Sequence, residues 1–194
     1  MKSPLPYPSR VAVDNPNLIW IDCEMTGLSL ERDALVEIAV LVTDAELNIL
    51  GEGVDLVIAT SQAKLDEMSD EVRAMHTESG LLPLITSGVS AADAEQKILE
   101  YLASHTTAGK SPLAGNSVAM DRNFISRDMP ALDKYLHYRS VDVSSIKELA
   151  RRWYPKIYFD SPKKTGNHRA LGDIKDSIAE LKYYREKIFL NSNS

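Results

Sequence analysis

The chain has 194 residues, 44% of them hydrophobic and 26% charged, proportions typical of one globular domain with a full core. Its formal net charge of −6 argues against a general nucleic-acid coat protein, but not against an enzyme that meets nucleic acid only at a metal-filled cleft. It has no apolar run of the ~20 residues that a membrane helix needs and no secretory signal. A single cysteine, Cys23, excludes an intramolecular disulfide, so we expect a cytoplasmic protein without membrane contact.

The first part of the chain is predicted to contain a tail and three strands. Residues 1–16 are rich in proline and lack a periodic pattern, so we expect an extended N-terminal tail. Residues 17–190 are predicted to form a single domain, followed by a short tail at 191–194. Apolar runs joined by short polar connections indicate three strands in an antiparallel meander, at Leu18–Met25, Leu35–Thr43 and Val54–Ala59.

Helices dominate the rest of the chain. Serine N-caps and the spacing of apolar residues predict helices at Gln62–Met68, Ser69–His76, Ala91–Ala103, Asp121–Arg127, Ile146–Trp153 and His168–Phe189. Ser144 or Ser145 is the expected N-cap of the helix that begins at Ile146. Further strands are predicted at Leu113–Asn116 and Tyr138–Val143, and a loop at Tyr154–Asn167. A meander followed by βα units predicts an α/β fold with a mixed sheet and helices on both faces.

The first strand ends in two carboxylates one residue apart. Side chains alternate along a strand, so Asp22 and Glu24 should point to one side and Cys23 to the other. Two neighbouring carboxylates raise each other's pKa unless a cation neutralises them, and oxygen-only ligands suit Mg²⁺ or Mn²⁺. An isolated pair of this kind is more often the solvated end of a strand, so the metal interpretation depends on the rest of the chain.

Two further acids and a histidine lie where they can join this pair. Asp121 opens a helix after a predicted strand, and Asp173 lies in the first turns of the last helix, five residues after His168. Taken alone, each acid is better interpreted as a residue at a helix N-terminus that interacts favourably with the helix dipole, and the histidine as a surface residue. A histidine can also take a proton from water. The whole ordered set is much harder to obtain by chance than any one member.

With these residues in place, the sequence resembles the oligoribonuclease branch of the DEDDh 3′→5′ exonucleases over about residues 17–189. The resemblance implies a ribonuclease H-like fold, with a mixed five-stranded sheet in which parallel strands extend an antiparallel meander, flanked by helices. The matching segments are Leu18–Leu28, Met75–Leu81, Gly109–Pro112, Gly115–Ser117, His137–Ser144, Lys147–Trp153 and His168–Asp173.

The resemblance implies the reaction and its cofactors. Two divalent cations, Mg²⁺ or Mn²⁺, are expected on Asp22, Glu24, Asp121 and Asp173, with His168 as the general base. The expected activity is metal-dependent 3′→5′ hydrolysis of very short single-stranded RNA, down to dinucleotides, to nucleoside 5′-monophosphates, as the final step of RNA turnover.

The resemblance also implies how the substrate is held. Leu28 is expected to wedge against the bases, and His76 to line the same pocket. The 5′ phosphate is expected to contact Ser117, Arg139, Ser144 and Ser145. The protein is expected to be a homodimer in which Tyr138, a catalytic residue, and Arg139 come from the partner subunit. Glu71 stands where some relatives carry a stacking tryptophan, which Met68 or another apolar residue could replace.

Two alternative functions stay open at this point. The first is a DNA-proofreading or tRNA-trimming exonuclease of the same superfamily, against which the predicted 5′-phosphate pocket argues because long strands need an open channel. The second is a non-catalytic RNA-binding or scaffolding protein of the same fold. We would expect such a protein to have lost at least one of the four acids or the histidine, and all five are present.

Overall fold

Two long, largely apolar strands form the centre of the sheet. In the computed structural model, which describes residues 16–163 and 168–189, β1 (Leu18–Met25) pairs antiparallel with β2 (Leu35–Thr43). Next to β2 lies the antiparallel β3 (Ile49–Val57). On its other side, β1 pairs parallel with β4 (Leu113–Gly115), which pairs parallel with β5 (Ser140–Asp142). The order β3-β2-β1-β4-β5 confirms the predicted mixed five-stranded sheet.

Eight α-helices are found in the described residues. They are α1 (Gln62–Asp66), α2 (Asp70–Glu78), α3 (Ala91–His105), α4 (Ala119–Asp128), α5 (Pro130–Tyr135), α6 (Val143–Trp153), α7 (Pro155–Phe159) and α8 (Ala170–Ile188). A 3₁₀ turn, Leu82–Ser87, precedes α3. The predicted caps Ser69 and Ser90 begin α2 and α3, each accepting a hydrogen bond from a backbone N–H of the first turn.

The sheet separates two hydrophobic cores, which confirms the prediction of helices on both faces. Because side chains alternate along β1, Ile19, Ile21 and Cys23 pack with α3, α4 and α5, whereas Trp20 packs with α6 and α8. Asp22 and Glu24 continue the Trp20 face of the strand. The packing of the two cores therefore directs both carboxylates towards α8.

Several predicted boundaries are wrong. The third strand begins at Ile49 rather than Val54. Gly51 and Gly53 interrupt the apolar pattern of its first half, so the sequence did not indicate a strand there. The predicted loop at 154–167 contains α7, whose first residue is Pro155, a position where the missing N–H has no cost. Asp142, rather than Ser144 or Ser145, is the N-cap of α6.

The tails predicted at 1–16 and 191–194 lie, apart from Pro16, outside the described residues, and the limits of the single domain stay a prediction. Over 16–163 and 168–189, every helix is too short or too polar to cross a bilayer.

Candidate active site

Three carboxylates meet beside the C-terminal end of β1. Asp22 and Glu24 come from that strand, and Asp173 from the first turn of α8, which packs against it. One carboxylate oxygen from each of these residues lies within 4.8 Å of the other two. The three acids line a cleft of about 380 Å³, together with Cys23, Asn116, Ser117, Ser144, Lys147 and His168.

Asp121, the fourth predicted acid, is held against the backbone of β1. It lies in the first turn of α4 and is buried, and its Oδ1 accepts a hydrogen bond from the Cys23 N–H at 3.0 Å. Burial raises the pKa of Asp121 to about 6, although this hydrogen bond acts in the opposite direction. Asp121 lies outside the group of three close carboxylates, so its role as a metal ligand stays a prediction.

Negative charge is concentrated around Glu24. Burial, together with the nearby carboxylates of Glu37, Asp173 and Asp121, raises the pKa of Glu24 to about 8, and Arg169 only partly opposes this effect. Glu37 lies directly opposite Glu24 in the β1–β2 pair and is fully buried. Protonation or a bound cation is therefore favourable at this strand end.

Glu37 anchors the start of α8. Its carboxylate accepts hydrogen bonds from Arg169 Nε at 2.8 Å and from the Ala170 N–H at 3.1 Å, and Arg169 Nη2 lies 2.6 Å from it. The Ala170 N–H is one of the helix donors that has no partner within the helix. This buried pair fixes the segment that carries both His168 and Asp173.

His168 lies in the cleft with a strained backbone. Its side chain is exposed, and its φ of 46° falls in the left-handed region, which non-glycine residues seldom adopt. Ser117, also in the cleft, has a φ of 55°. Three described non-glycine residues have a positive φ, and two of them line this cleft. Such backbone angles are more frequent at functional sites than elsewhere.

The polar end of the cleft is built on Asp142. Its Oδ1 accepts hydrogen bonds from the backbone N–H groups of Ser117 at 3.0 Å and of Ser144 at 2.9 Å. The two hydroxyl oxygens lie 3.1 Å apart. Two of the residues predicted to bind the 5′ phosphate are thus neighbours, joined by Asp142, which lies near the end of the strand predicted at Tyr138–Val143.

His76 lies beneath the strand end and does not line the cleft. It is fully buried, with Nε2 2.8 Å from the carbonyl oxygen of Met25. Its Nδ1 has no hydrogen-bond partner and lies 4.0 Å from Glu24 Oε2. Met68 is also buried, so it offers no open surface for stacking, and Glu71 is exposed.

Leu28 projects from an ordered turn just after β1. Asp33 accepts hydrogen bonds from the Thr26 hydroxyl and the Ser29 N–H, at 3.2 and 2.8 Å. A Cβ at Gly27 would lie 2.5 Å from Asp33 Oδ2, so a side chain at this position would displace the carboxylate that holds the turn. Leu28 is left 68% exposed.

Besides Asp121, Leu28 and His76, three more predicted site residues do not line the cleft of their own chain. Tyr138 is 72% exposed, with its ring 4.4 Å from that of His137 and 5.1 Å from the guanidinium carbon of Arg139. Arg139 and Ser145 are exposed. The described chain therefore brings together Asp22, Glu24, Asp173, His168, Ser117 and Ser144, and leaves Tyr138, Arg139 and Ser145 outside.

Sequence reasoning missed the residues behind the cleft. Glu37 could have been noticed as a lone acid in an apolar strand, but its partner depends on strand register. Glu180 gave no signal because a glutamate on an amphipathic helix normally faces solvent, yet it is buried. Asn116 and Lys147, both in the cleft, contact it.

The donor set fits a hard divalent cation. Carboxylate oxygens are the ligands that Mg²⁺ and Mn²⁺ prefer, and the three close acids converge on one point at the cleft surface. Burial and the neighbouring carboxylates raise the pKa of Glu24, and a bound cation would favour its charged form. The cluster therefore supports the use of divalent metal.

Comparison with known proteins agrees with this site. The exonuclease family RNase_T matches residues 19–181. The chain is 63% identical to the oligoribonuclease of Streptomyces avermitilis, covering 91% of this chain and 88% of the relative. It is 61% identical to that of Rhodococcus jostii, over 89% and 88%, and 59% identical to that of Mycobacterium avium, over 89% and 81%.

Solved structures show the same fold. Exonuclease I from E. coli in complex with a dA16 oligonucleotide has a TM-score of 0.68 at 14% identity, and exonuclease I from Methylocaldum szegediense has 0.67 at 21%. Each covers 89% of this chain, which spans only 41% of their length. The ribonuclease H-like fold is thereby confirmed.

Fold, acidic cluster and family match together define a nuclease that hydrolyses phosphodiester bonds. The close relatives make the assignment narrower: the chain belongs to the oligoribonuclease family. The relatives and the exonuclease domain together support a 3′→5′ exoribonuclease.

Proposed function

We propose that this protein removes nucleoside 5′-monophosphates from the 3′ end of very short RNAs, down to dinucleotides, and so completes RNA turnover. The observation that carries the proposal is a single cleft that contains two chemically different groups of side chains. Asp22, Glu24 and Asp173 form the acidic end, the neighbouring hydroxyl groups of Ser117 and Ser144 form the polar end, and His168 lines the same cleft.

The residues of the acidic end have two roles in the proposed reaction: the acids bind metal, and the histidine accepts a proton. Asp22, Glu24, Asp121 and Asp173 hold two divalent ions, Mg²⁺ or Mn²⁺. When bound, these ions supply the positive charge that favours a nucleophilic hydroxide and stabilises the leaving 3′ oxygen. His168 takes the proton of the attacking water, for which its exposed position in the cleft leaves room. The phosphodiester bond breaks and a nucleoside 5′-monophosphate leaves.

The polar end accounts for the preference for short substrates. Two serine hydroxyl groups 3.1 Å apart, both on backbone fixed by Asp142, suit the oxygens of a terminal phosphate. A long strand would have to continue past this point. We infer that the 5′ phosphate binds there, so that the substrate spans the cleft. Leu28, exposed on its ordered turn, supplies an apolar contact for the bases.

We also propose that the enzyme is a homodimer with a shared site. Tyr138 and Arg139 lie outside the cleft of their own chain, as expected if they complete the site of the partner subunit. Leu149, Trp153 and Tyr154, between 43% and 64% exposed, line an apolar groove of about 190 Å³. An exposed apolar surface of this kind is typical of a protein–protein interface.

The activity is tested by a time course on 5′-labelled RNAs of two, three, five and about fifteen nucleotides, with Mn²⁺ and with EDTA. We expect the dinucleotide to disappear fastest, and only with metal. Asp22→Ala should be inactive, whereas Asp66→Asn, an exposed acid distant in sequence from the site, should match the wild type. Preference for the longest RNA or for DNA would favour a proofreading or trimming enzyme, and no cleavage would favour a binding protein.

The shared site is tested by complementation. Tyr138→Ala and Asp22→Ala chains should each be inactive alone. After mixing and subunit exchange, one site of each heterodimer carries neither substitution, so activity should return towards a quarter of the wild-type value. Exchange is verified by mass spectrometry with one isotope-labelled chain. Exchanged heterodimers without activity would refute the shared site.

A cytoplasmic location stays a prediction.

A further inference from the structure

The segment between α5 and β5 carries exposed side chains on a backbone that is held in place. Tyr138 is 72% exposed, and Arg139 is exposed as well. The His137 N–H donates a hydrogen bond to the Ser111 carbonyl oxygen at 3.0 Å, and the Arg139 N–H donates one to His137 Nδ1 at 3.2 Å. A functional side chain requires such support, because a misplaced contact loses most of its effect.

The side chain of Arg122 contacts this backbone directly. Arg122 Nη1 donates to the carbonyl oxygen of His137 at 3.1 Å and lies 3.4 Å from that of Tyr138. Its Nε donates to Asp133 Oδ1 at 3.1 Å, on the helix α5 that leads into the segment. A guanidinium group is planar and its donors have fixed directions, so these contacts determine where the segment lies relative to α4 and α5.

Arg122 is also the next residue after Asp121, a predicted metal ligand of its own chain. Successive side chains leave a helix about 100° apart, so the two residues point in different directions from α4. Asp121 is buried and accepts the Cys23 N–H of β1, whereas the Arg122 side chain is 25% exposed and reaches the segment before β5. The start of α4 therefore contacts both the acidic strand and the segment that carries Tyr138.

We propose that Arg122 is a positioning residue for the site of the partner subunit, because it holds the segment from which Tyr138 completes that site. The inference rests on the proposed homodimeric exoribonuclease and names a further residue on which its shared site depends. Arg122 acts through the backbone of His137 and Tyr138, so it needs no contact of its own with RNA or metal. Misplacement of a functional group by about 1 Å can cost about 10²-fold in rate.

The experiment compares three heterodimers, each purified through two different affinity tags. In all three, one chain carries Asp22→Ala, so only the other chain contributes a complete set of acids. The reference heterodimer has no further change. In the second, Arg122→Met is added to the Asp22→Ala chain, so the intact acids receive Tyr138 from the altered chain. In the third, Arg122→Met is placed in the chain with the intact acids, which then receive Tyr138 from a chain with normal Arg122.

The second heterodimer should cleave an RNA dinucleotide about 10–100 times more slowly than the reference, whereas the third should match the reference. Equal rates in the second and third, whether normal or reduced, would overturn the role of Arg122. A loss confined to the third would also overturn it, because the effect would then act within one chain through Asp121. Lys134→Met, at an exposed lysine beside Asp133, is the matched control and should leave every rate unchanged.

A fourth heterodimer separates this inference from the proposed function. It pairs a wild-type chain with an Asp22→Ala/Tyr138→Ala chain and should be inactive, and native mass spectrometry before and after the assay verifies its composition. Full activity would refute the shared site itself, and the inference with it. An inactive fourth heterodimer beside a normal second one would overturn the role of Arg122 alone. A wild-type homodimer that cleaves no RNA would refute the proposed exoribonuclease and everything that rests on it.

Discussion

The buried pair between Glu37 and Arg169 offers a direct test of how the start of α8 is held. In Arg169→Met, Glu37 loses the hydrogen bond from Arg169 Nε and the ion pair with Arg169 Nη2, and keeps the Ala170 N–H. It is left fully buried and opposite Glu24, with Asp55 close enough to interact with it. The substitution therefore leaves the buried Glu37 carboxylate without its cation and next to the carboxyl groups of Glu24 and Asp55.

The expected magnitude follows from burial. Removing one partner of a buried pair costs about 3–5 kcal/mol, and the 29% exposure of the Arg169 side chain points to the lower end, about 3 kcal/mol. In a protein of this size, 1 kcal/mol changes the melting temperature by about 2–4 °C. Arg169→Met should therefore melt about 6–12 °C below the wild type.

The assay is thermal unfolding followed by circular dichroism in EDTA at pH 7.5. Arg185→Met is the matched control, because Arg185 also joins α8 to a glutamate distant in sequence, Glu46, but both side chains are well exposed. An exposed pair contributes about 0–1 kcal/mol, so the control should melt within about 4 °C of the wild type. Equal shifts in the two variants would refute the reasoning. The double variant Glu37→Met/Arg169→Met should recover part of the loss, since it removes the buried charge.

Three further results are expected. In the metal-free protein, the pKa of Glu24 is raised to about 8 by burial and neighbouring acids, so stability should be greatest below the ordinary value of 4.5 and should fall as the pH rises towards 8. Thermal melts in EDTA from pH 5 to 8.5 should show this slope, and Glu24→Gln should reduce it; a flat wild-type curve would contradict it. His168→Ala should bind Mn²⁺ normally in calorimetry but hydrolyse RNA about 10²–10⁴ times more slowly, and an unchanged rate would exclude it as the base. Trp153→Glu should be a monomer by light scattering, whereas Arg152→Glu, an exposed neighbour, should match the oligomeric state of the wild type; a dimeric Trp153→Glu protein would place the interface elsewhere.

The position of the two strand acids was predictable because its signals are local. The alternation of Ile19, Trp20, Ile21, Asp22, Cys23 and Glu24 determines both the strand and the side to which the two acids point. The strand bounds Leu18–Met25 and Leu35–Thr43 were predicted to the residue, since apolar runs of that length have few other interpretations. The convergence of Asp173 and His168 on the same cleft needed the family resemblance as well.

The supporting residues were not predictable because they depend on register and packing. Whether Glu37 faces Glu24 or a hydrophobic neighbour changes with a one-residue slip of β2. Asp142 and Ser144 are both good N-cap residues, and only the backbone decides that Asp142 takes this position. The short helices α5 and α7 were not predicted, because each begins at a proline, Pro130 or Pro155, and proline both starts and ends helices.

One rigid helix carries both an acid of the close carboxylate group and the buried acid that contacts Lys147. Asp173 and Glu180 lie on α8 seven residues apart, nearly two helical turns, which corresponds to about 10 Å along the axis. The separation between the acidic end and Lys147 is therefore set by helical pitch and not by a flexible loop. A residue inserted between positions 173 and 180 would turn Glu180 away from the cleft by about 100°. The spacing between these two parts of the cleft wall is therefore a property of the backbone of one helix, which single substitutions alter less easily than they alter an exposed side chain.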